Sequence, residues 1–142
     1  MRSWSLGEKV VNEIRVRIRS DADIIAARSQ GRGLAEQAGF TGSDLTVIAT
    51  AISEIARNIV EYAKTGEVSF RQIHNGTRRG IVVTARDRGP GISDVELAMQ
   101  DGYSTSKGIG LGLPGARRLM DEFEIESTVG KGTTIVMKKW TA

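Results

Sequence analysis

The stretch from Ser43 to Ala63 constrains the fold most. Leu45, Ile48, Ala49, Ile52, Ile55, Ala56 and Ile59 recur there at three- and four-residue spacing, which lines them along one face of a helix. So long an apolar stripe needs a broad apolar partner, and the flanking sequence offers strands to supply it. Ile14, Val16 and Ile18 alternate with Arg15, Arg17 and Arg19, the period-two pattern of a strand over about residues 12–19 with its arginine face in water. Asp21 or Asp23 is suited to cap a first helix that runs through Ile24 and Ala27 to Ala38 and stops at Gly39. The second helix opens at Ser43 and ends near Ala63, before Gly66.

Glu67 to His74 and Gly80 to Asp87 read as two strands, paired antiparallel through the turn residues Asn75-Gly76-Thr77-Arg78-Arg79. A short helix follows from Asp94 to Gln100, then a glycine-rich segment from Asp101 to Gly112, then a helix from Leu113 to Phe123. Glu124 to Thr128 and Thr133 to Lys139 make a second hairpin around Gly130-Lys131-Gly132. This order predicts an α+β fold, a two-layer α/β sandwich with a mixed, mostly antiparallel sheet, helices on one face and an opening under the glycine-rich segment.

With 142 residues the expectation is a single domain over residues 1–142, able to bury a core without staples. The absence of cysteine excludes disulfides, cysteine-ligated zinc and a thiol nucleophile. No run of about 18 apolar residues appears and Met1-Arg2-Ser3-Trp4-Ser5 is polar, so the expected location is the cytoplasm, with no membrane association. A net charge of +3 with scattered basic residues gives no nucleic-acid footprint. Glycine stands out instead, with 17 residues against an average share of about 7%, and most of them follow residue 79.

Four separated segments carry candidate chemistry. In Ser53-Glu54-Ile55-Ala56-Arg57-Asn58, Glu54 and Asn58 are four apart and share a helix face. Glu54 can accept or orient a hydroxyl proton, and Asn58 can give magnesium one neutral oxygen. Asp87-Arg88-Gly89-Pro90-Gly91 closes a strand with a sharp turn and leaves a carboxylate able to accept from an exocyclic amino group such as adenine's. Lys107-Gly108-Ile109-Gly110-Leu111-Gly112-Leu113 exposes backbone amides before a helix start, which suits phosphates, though it matches neither a Walker loop nor a Rossmann fingerprint. Gly130-Lys131-Gly132-Thr133-Thr134 brings a threonine hydroxyl that can donate and accept. Each segment alone also reads as an ordinary helix face, turn or loop; their order and setting distinguish them.

Together they resemble the N, G1, G2 and G3 boxes of the GHKL, or Bergerat-fold, ATP-binding superfamily over about residues 12–140. Thr50 to Ile59, Gly112 to Asp121 and the ending Lys138-Lys139-Trp140 are similar to the RsbT-type switch kinases within it. The resemblance implies ATP and Mg2+ as cofactors, Glu54 as general base or hydroxyl-orienting carboxylate, Asn58 as magnesium ligand and Asp87 as adenine-reading carboxylate. Gly89 and Gly91 would let the base approach, Gly108, Ile109, Gly110, Leu111 and Gly112 would form the lid over the phosphates, and Thr133 would lie near the adenine. The related anti-sigma kinases carry a lid arginine that this segment lacks, and Lys107 stands as its candidate substitute.

By the same resemblance the activity is that of a serine/threonine protein kinase. Its partners would be a STAS-domain antagonist or stressosome-type scaffold as substrate, and a PP2C-type phosphatase activated by the released kinase. The alternative is an anti-sigma factor of the same fold that sequesters a sigma factor directly. A histidine kinase module would need a phosphoacceptor histidine on a dimerisation helix, whereas His74 sits beside a predicted hairpin turn. A mismatch-repair or topoisomerase type of ATPase would need a transducer domain that is not expected here.

Overall fold

Five strands pair into one sheet in the order β1-β2-β3-β5-β4 in the computed structural model, which describes residues 9–100 and 112–141. The strands are β1 (Lys9–Ile18), β2 (Gly66–Asn75), β3 (Arg78–Asp87), β4 (Glu122–Thr128) and β5 (Gly132–Trp140). The helices are α1 (Asp21–Gln37), α2 (Ser43–Asn58), α3 (Val95–Ala98) and α4 (Gly112–Leu119). Every pairing in this sheet is antiparallel, the limiting case of the mostly antiparallel sheet expected.

The registers explain why one face is apolar. Val16 stands opposite Val68, Val68 opposite Ala85, and Ala85 opposite Ile135, so period-two alternation in four strands builds one continuous apolar row. Ile14, Phe70, Val83 and Met137 form the next row, closed by Phe123. The stripe of α2 packs on this face with Ile24, Ala27, Leu34 and Ala35 of α1, and Ile48, Ile52, Ile55 and Phe70 are fully buried. Burying each of the larger side chains stabilises the fold by about 1.5–3 kcal/mol. Across the other face run charged residues such as the cross-strand row Arg17, Glu67, Arg86, beside a small cluster of Ile73, Val82 and Val136 with Trp140 packed against it.

Several boundaries differ from the sequence reading for identifiable reasons. β1 begins at Lys9 rather than near residue 12, and an irregularity in register between Val10 and Asn12 carries it past the alternating stretch. Ser20 occupies the N-cap of α1 without a side-chain bond, while Asp23 Oδ2 accepts from the Arg19 N–H at 2.8 Å, a reach backwards from the first turn. Helix α4 stops at Leu119, not Phe123. There the Asp121 N–H donates to the Lys138 carbonyl at 2.9 Å and Asp121 Oδ2 accepts from the Trp140 N–H at 2.8 Å, so β5 captures the chain and β4 starts at Glu122. The second helix does reach Ala63, but Ile59–Ala63 is a π turn closed by the Lys64 N–H on the Ile59 carbonyl at 2.9 Å. Lys64 leaves it with φ +74, a left-handed conformation that ends the helix.

Candidate active site

The π turn brings the end of α2 to the edge where β3 finishes. A Cβ on Gly66 would lie 2.8 Å from Ile59 Cγ2, and one on Gly89 would lie 2.6 Å from Ala63 Cβ, so the turn is seated directly on the start of β2 and on the loop after Asp87. Asn58, the last α-helical residue, therefore stands at the same end of the molecule as Asp87. It is half-buried, and its side-chain amide has no partner among the described residues.

One turn earlier, Glu54 is a buried carboxylate with both oxygens engaged. Oε2 accepts from Arg57 Nη1 at 2.8 Å, and Oε1 accepts from the Gly112 N–H at 2.9 Å. The second bond ties α2 to the first residue of α4, which enters with φ +69, a conformation that glycine adopts without penalty. Since α2 also packs on α4, the carboxylate faces the place where the glycine-rich segment rejoins the fold.

Asp87 has an asymmetric set of partners. Its Oδ1 accepts from the Gly89 N–H at 2.9 Å and from the Thr133 N–H at 3.3 Å, while Oδ2 has no hydrogen bond among the described residues. The strand register places Asp87 opposite Thr133, and Thr133 opposite Ser127. Thr133 Oγ1 lies 2.8 Å from Ser127 Oγ, which accepts from the Ile92 N–H at 2.7 Å and donates to the Gly132 carbonyl at 3.2 Å. Either hydroxyl can be the donor in the Ser127–Thr133 contact. Gly91 has φ +78 and a Cβ there would strike the Thr128 carbonyl, so the turn requires glycine on packing grounds alone.

The structure thus gathers Glu54, Asn58, Asp87, Gly89, Gly91, Gly112 and Thr133 around the end of α2 and the ends of β3 and β5. Lys107, Gly108, Ile109, Gly110 and Leu111 lie outside the described residues. Two participants were not singled out from the sequence. Arg57 sits inside a quoted motif, and its i,i+3 spacing from Glu54 was the available signal. Ser127 extends the period-two face of Phe123 and Ile125, which identifies it as inward-facing once β4 is set. A separate depression of about 450 Å3 lined by Val95, Glu96, Met99, Gln100, Arg117 and Ile125 involves none of the site residues.

The donor set fits a nucleotide with a divalent ion. Asp87 Oδ2 offers an acceptor to an amino group, and Asn58 offers a neutral oxygen. No group of three or more acidic or histidine side chains gathers as a ready-made metal cage among the described residues. Magnesium suits such a setting, because it retains waters and takes phosphate oxygens as its other ligands. Among the described residues no helix is long and apolar enough to cross a membrane.

The family model for the histidine kinase-like ATPase domain matches residues 18–139. The chain is 49% identical over 125 residues to the serine/threonine-protein kinase RsbT of Bacillus subtilis (strain 168), covering 88% of this chain and 94% of the relative. It is 35% identical over 120 residues to an anti-sigma F factor of Caldanaerobacter subterraneus subsp. tengcongensis, covering 80% and 82%. Among solved structures, the RsbU and RsbW domains of a Mycobacterium tuberculosis protein share the fold with TM-score 0.60 and 23% identity, covering 91% of this chain and 32% of that one. The mycobacterial sensor histidine kinase MprB shares it with TM-score 0.52 and 15% identity over 91% of this chain and 97% of that one. The order of strands and helices, the paired Glu54 and Asn58, the Asp87 turn and these matches lead to one assignment: the chain belongs to the histidine kinase-like ATPase family of GHKL fold, alongside the RsbT-type serine/threonine kinases.

Proposed function

We propose that the chain is a cytoplasmic serine/threonine protein kinase that moves the γ-phosphate of ATP to a hydroxyl of a STAS-domain antagonist or stressosome-type scaffold. The transfer acts as a switch on an alternative sigma factor or stress response, and the kinase released by it activates a PP2C-type phosphatase. The observation that carries this reading is Glu54, a buried carboxylate fixed on both oxygens, one helical turn from Asn58, whose side-chain amide has no partner among the described residues.

Asp87 Oδ2 reads the adenine amino group, with Thr133 beside it, and Asn58 supplies a magnesium ligand. Gly112 and the glycine-rich segment before it close over the phosphates, with Lys107 as their cation. Bound magnesium and ATP supply the transferable phosphoryl group and the charge that neutralises it, so the protein has mainly to position and to move one proton. Glu54 accepts that proton from the attacking hydroxyl at a lone pair not used by Arg57 or Gly112; a carboxylate has about four acceptor sites, and two are taken here.

The test is transfer of label from γ-labelled ATP to purified STAS-domain proteins in the presence of magnesium. Glu54→Ala is expected to lower transfer by roughly 10² to 10⁴. Near-full transfer by that variant refutes the base assignment. A second reading is favoured by the 35% identity to an anti-sigma F factor, namely direct capture of a sigma factor. Retention of purified sigma factor, with no label on any STAS protein, would support that reading over the switch kinase.

A further inference from the structure

We infer that Arg57 is a positioning residue for phosphotransfer, and that it works with the Gly112 amide to hold the Glu54 carboxylate in one orientation. The inference rests on the reading of Glu54 as the proton acceptor and deepens it.

An exposed glutamate–arginine pair three residues apart would contribute little. This pair differs because only 5% of the Glu54 side chain is exposed, against 29% for Arg57. A carboxylate so enclosed has few waters to stabilise its charge, and it relies on the donors the protein provides. The two described donors approach opposite oxygens, Arg57 Nη1 on Oε2 and the Gly112 N–H on Oε1. With both bonds made, rotation of the carboxylate plane is blocked and the remaining lone pairs point in fixed directions. Loss of either bond frees the rotation.

The arrangement also has a topological consequence. Gly112 is the last glycine of the Lys107–Leu113 motif and the first residue of α4, so its N–H is one of the first-turn donors that a helix leaves unsatisfied. Glu54 satisfies it. Glu54 is therefore also an anchor for the start of α4. A shift of Gly112 away from α2 would remove one of the two bonds that orient Glu54. Arg57 comes from the same helix as Glu54, so its bond to Oε2 does not depend on α4, but both bonds are needed to fix the orientation.

Two measurements on the full chain test this. In the first, amide hydrogen exchange at Gly112 is followed by NMR in the nucleotide-free protein, with Glu54→Ala expected to speed it at least about tenfold by removing its acceptor. An unchanged Gly112 rate in that variant overturns the inference. In the second, steady-state transfer from γ-labelled ATP to a purified STAS-domain protein is measured for Arg57→Met and Arg57→Lys. Arg57→Met is expected to lower kcat roughly ten- to a hundredfold, the range for losing a charge-assisted hydrogen bond, with the KM for ATP nearly unchanged. Arg57→Lys, which keeps a donor and the charge, is expected to recover most of kcat. Unchanged kcat in Arg57→Met, or a raised KM with kcat intact, overturns the positioning role. Glu54→Gln separates this from the parent reading: if it abolishes transfer while Arg57→Met does not, the base stands and the positioning role falls.

Discussion

Replacing Asp87 with asparagine probes the site with almost no change of shape. Oδ1 is anchored by the Gly89 and Thr133 N–H groups, and both are donors that need an oxygen. In Asp87→Asn the amide oxygen must therefore stay at the Oδ1 position, and the new NH2 group is forced to the Oδ2 position. A donor then faces the amino group of adenine, also a donor. The loss combines a charge-assisted hydrogen bond of about 1.5–3 kcal/mol with an unfavourable donor–donor contact, or roughly a 10- to 150-fold weaker ATP affinity. A base with a 6-oxo group, such as the hypoxanthine of ITP, presents an acceptor at the same place and should lose far less. Titration calorimetry with ATP and ITP on both proteins should show the preference for ATP over ITP narrowing by at least about tenfold. Because the anchored turn survives, the melting temperature should change little. Unchanged ATP affinity, or equal losses for the two nucleotides, would refute the assignment of Asp87 Oδ2 to the base.

Two further expectations concern stability. Phe70 is fully buried between Ile14 and Val83 in the sheet register, so Phe70→Ala should cost about 3–5 kcal/mol, read as a lower urea midpoint; a loss under about 1 kcal/mol would mean that the helix layer does not pack there as described. Glu13 accepts from Arg71 Nε at 2.7 Å and this bond holds its carboxyl below the usual glutamate value of about 4.3, with Arg15 adding attraction at 3.6 Å. The folded state thus favours the charged form. The resulting stabilisation, under about 1 kcal/mol for so exposed a pair, is complete above the unfolded value and disappears as pH falls through the lowered one. Glu13→Gln should accordingly be less stable than the parent at pH 6 and equal to it well below pH 4, and a deficit that grows on acidification would contradict this sign.

Much of the fold was legible because its signals are local. The three- and four-residue spacing of Leu45 to Ile59 and the alternation of Ile14, Val16 and Ile18 each state a secondary structure and the face it buries, and Gly76 and Gly130 mark hairpin turns that left-handed backbone requires. The placement of the proposed site residues was legible for the same reason: a carboxylate and an amide four apart on a helix share a face, and Asp87-Arg88-Gly89-Pro90-Gly91 marks a strand end and its turn. The helix boundary at Leu119 was not legible, because bonds with partners distant in sequence decide it: the Asp121 N–H donates to the Lys138 carbonyl and its carboxylate accepts from the Trp140 N–H.

Sequence alone therefore determined the order of elements and the apolar faces, and offered the residues proposed for the site. Tertiary structure decided how those groups are held. The i,i+3 spacing of residues 54 and 57 allows their pairing, but nothing in the sequence foretells that the same carboxylate also holds the first amide of another helix. Nor does it foretell that Asp87 spends one oxygen on Gly89 and Thr133 and keeps the other. The bond from Thr133 depends on the register that sets β5 beside β3, and the bond from Gly112 on the packing of α4 against α2. The physical reason is range: periodicity reports what each residue does within its own helix or strand, whereas orientation of a functional group is fixed by donors that only folding brings within 3 Å or so.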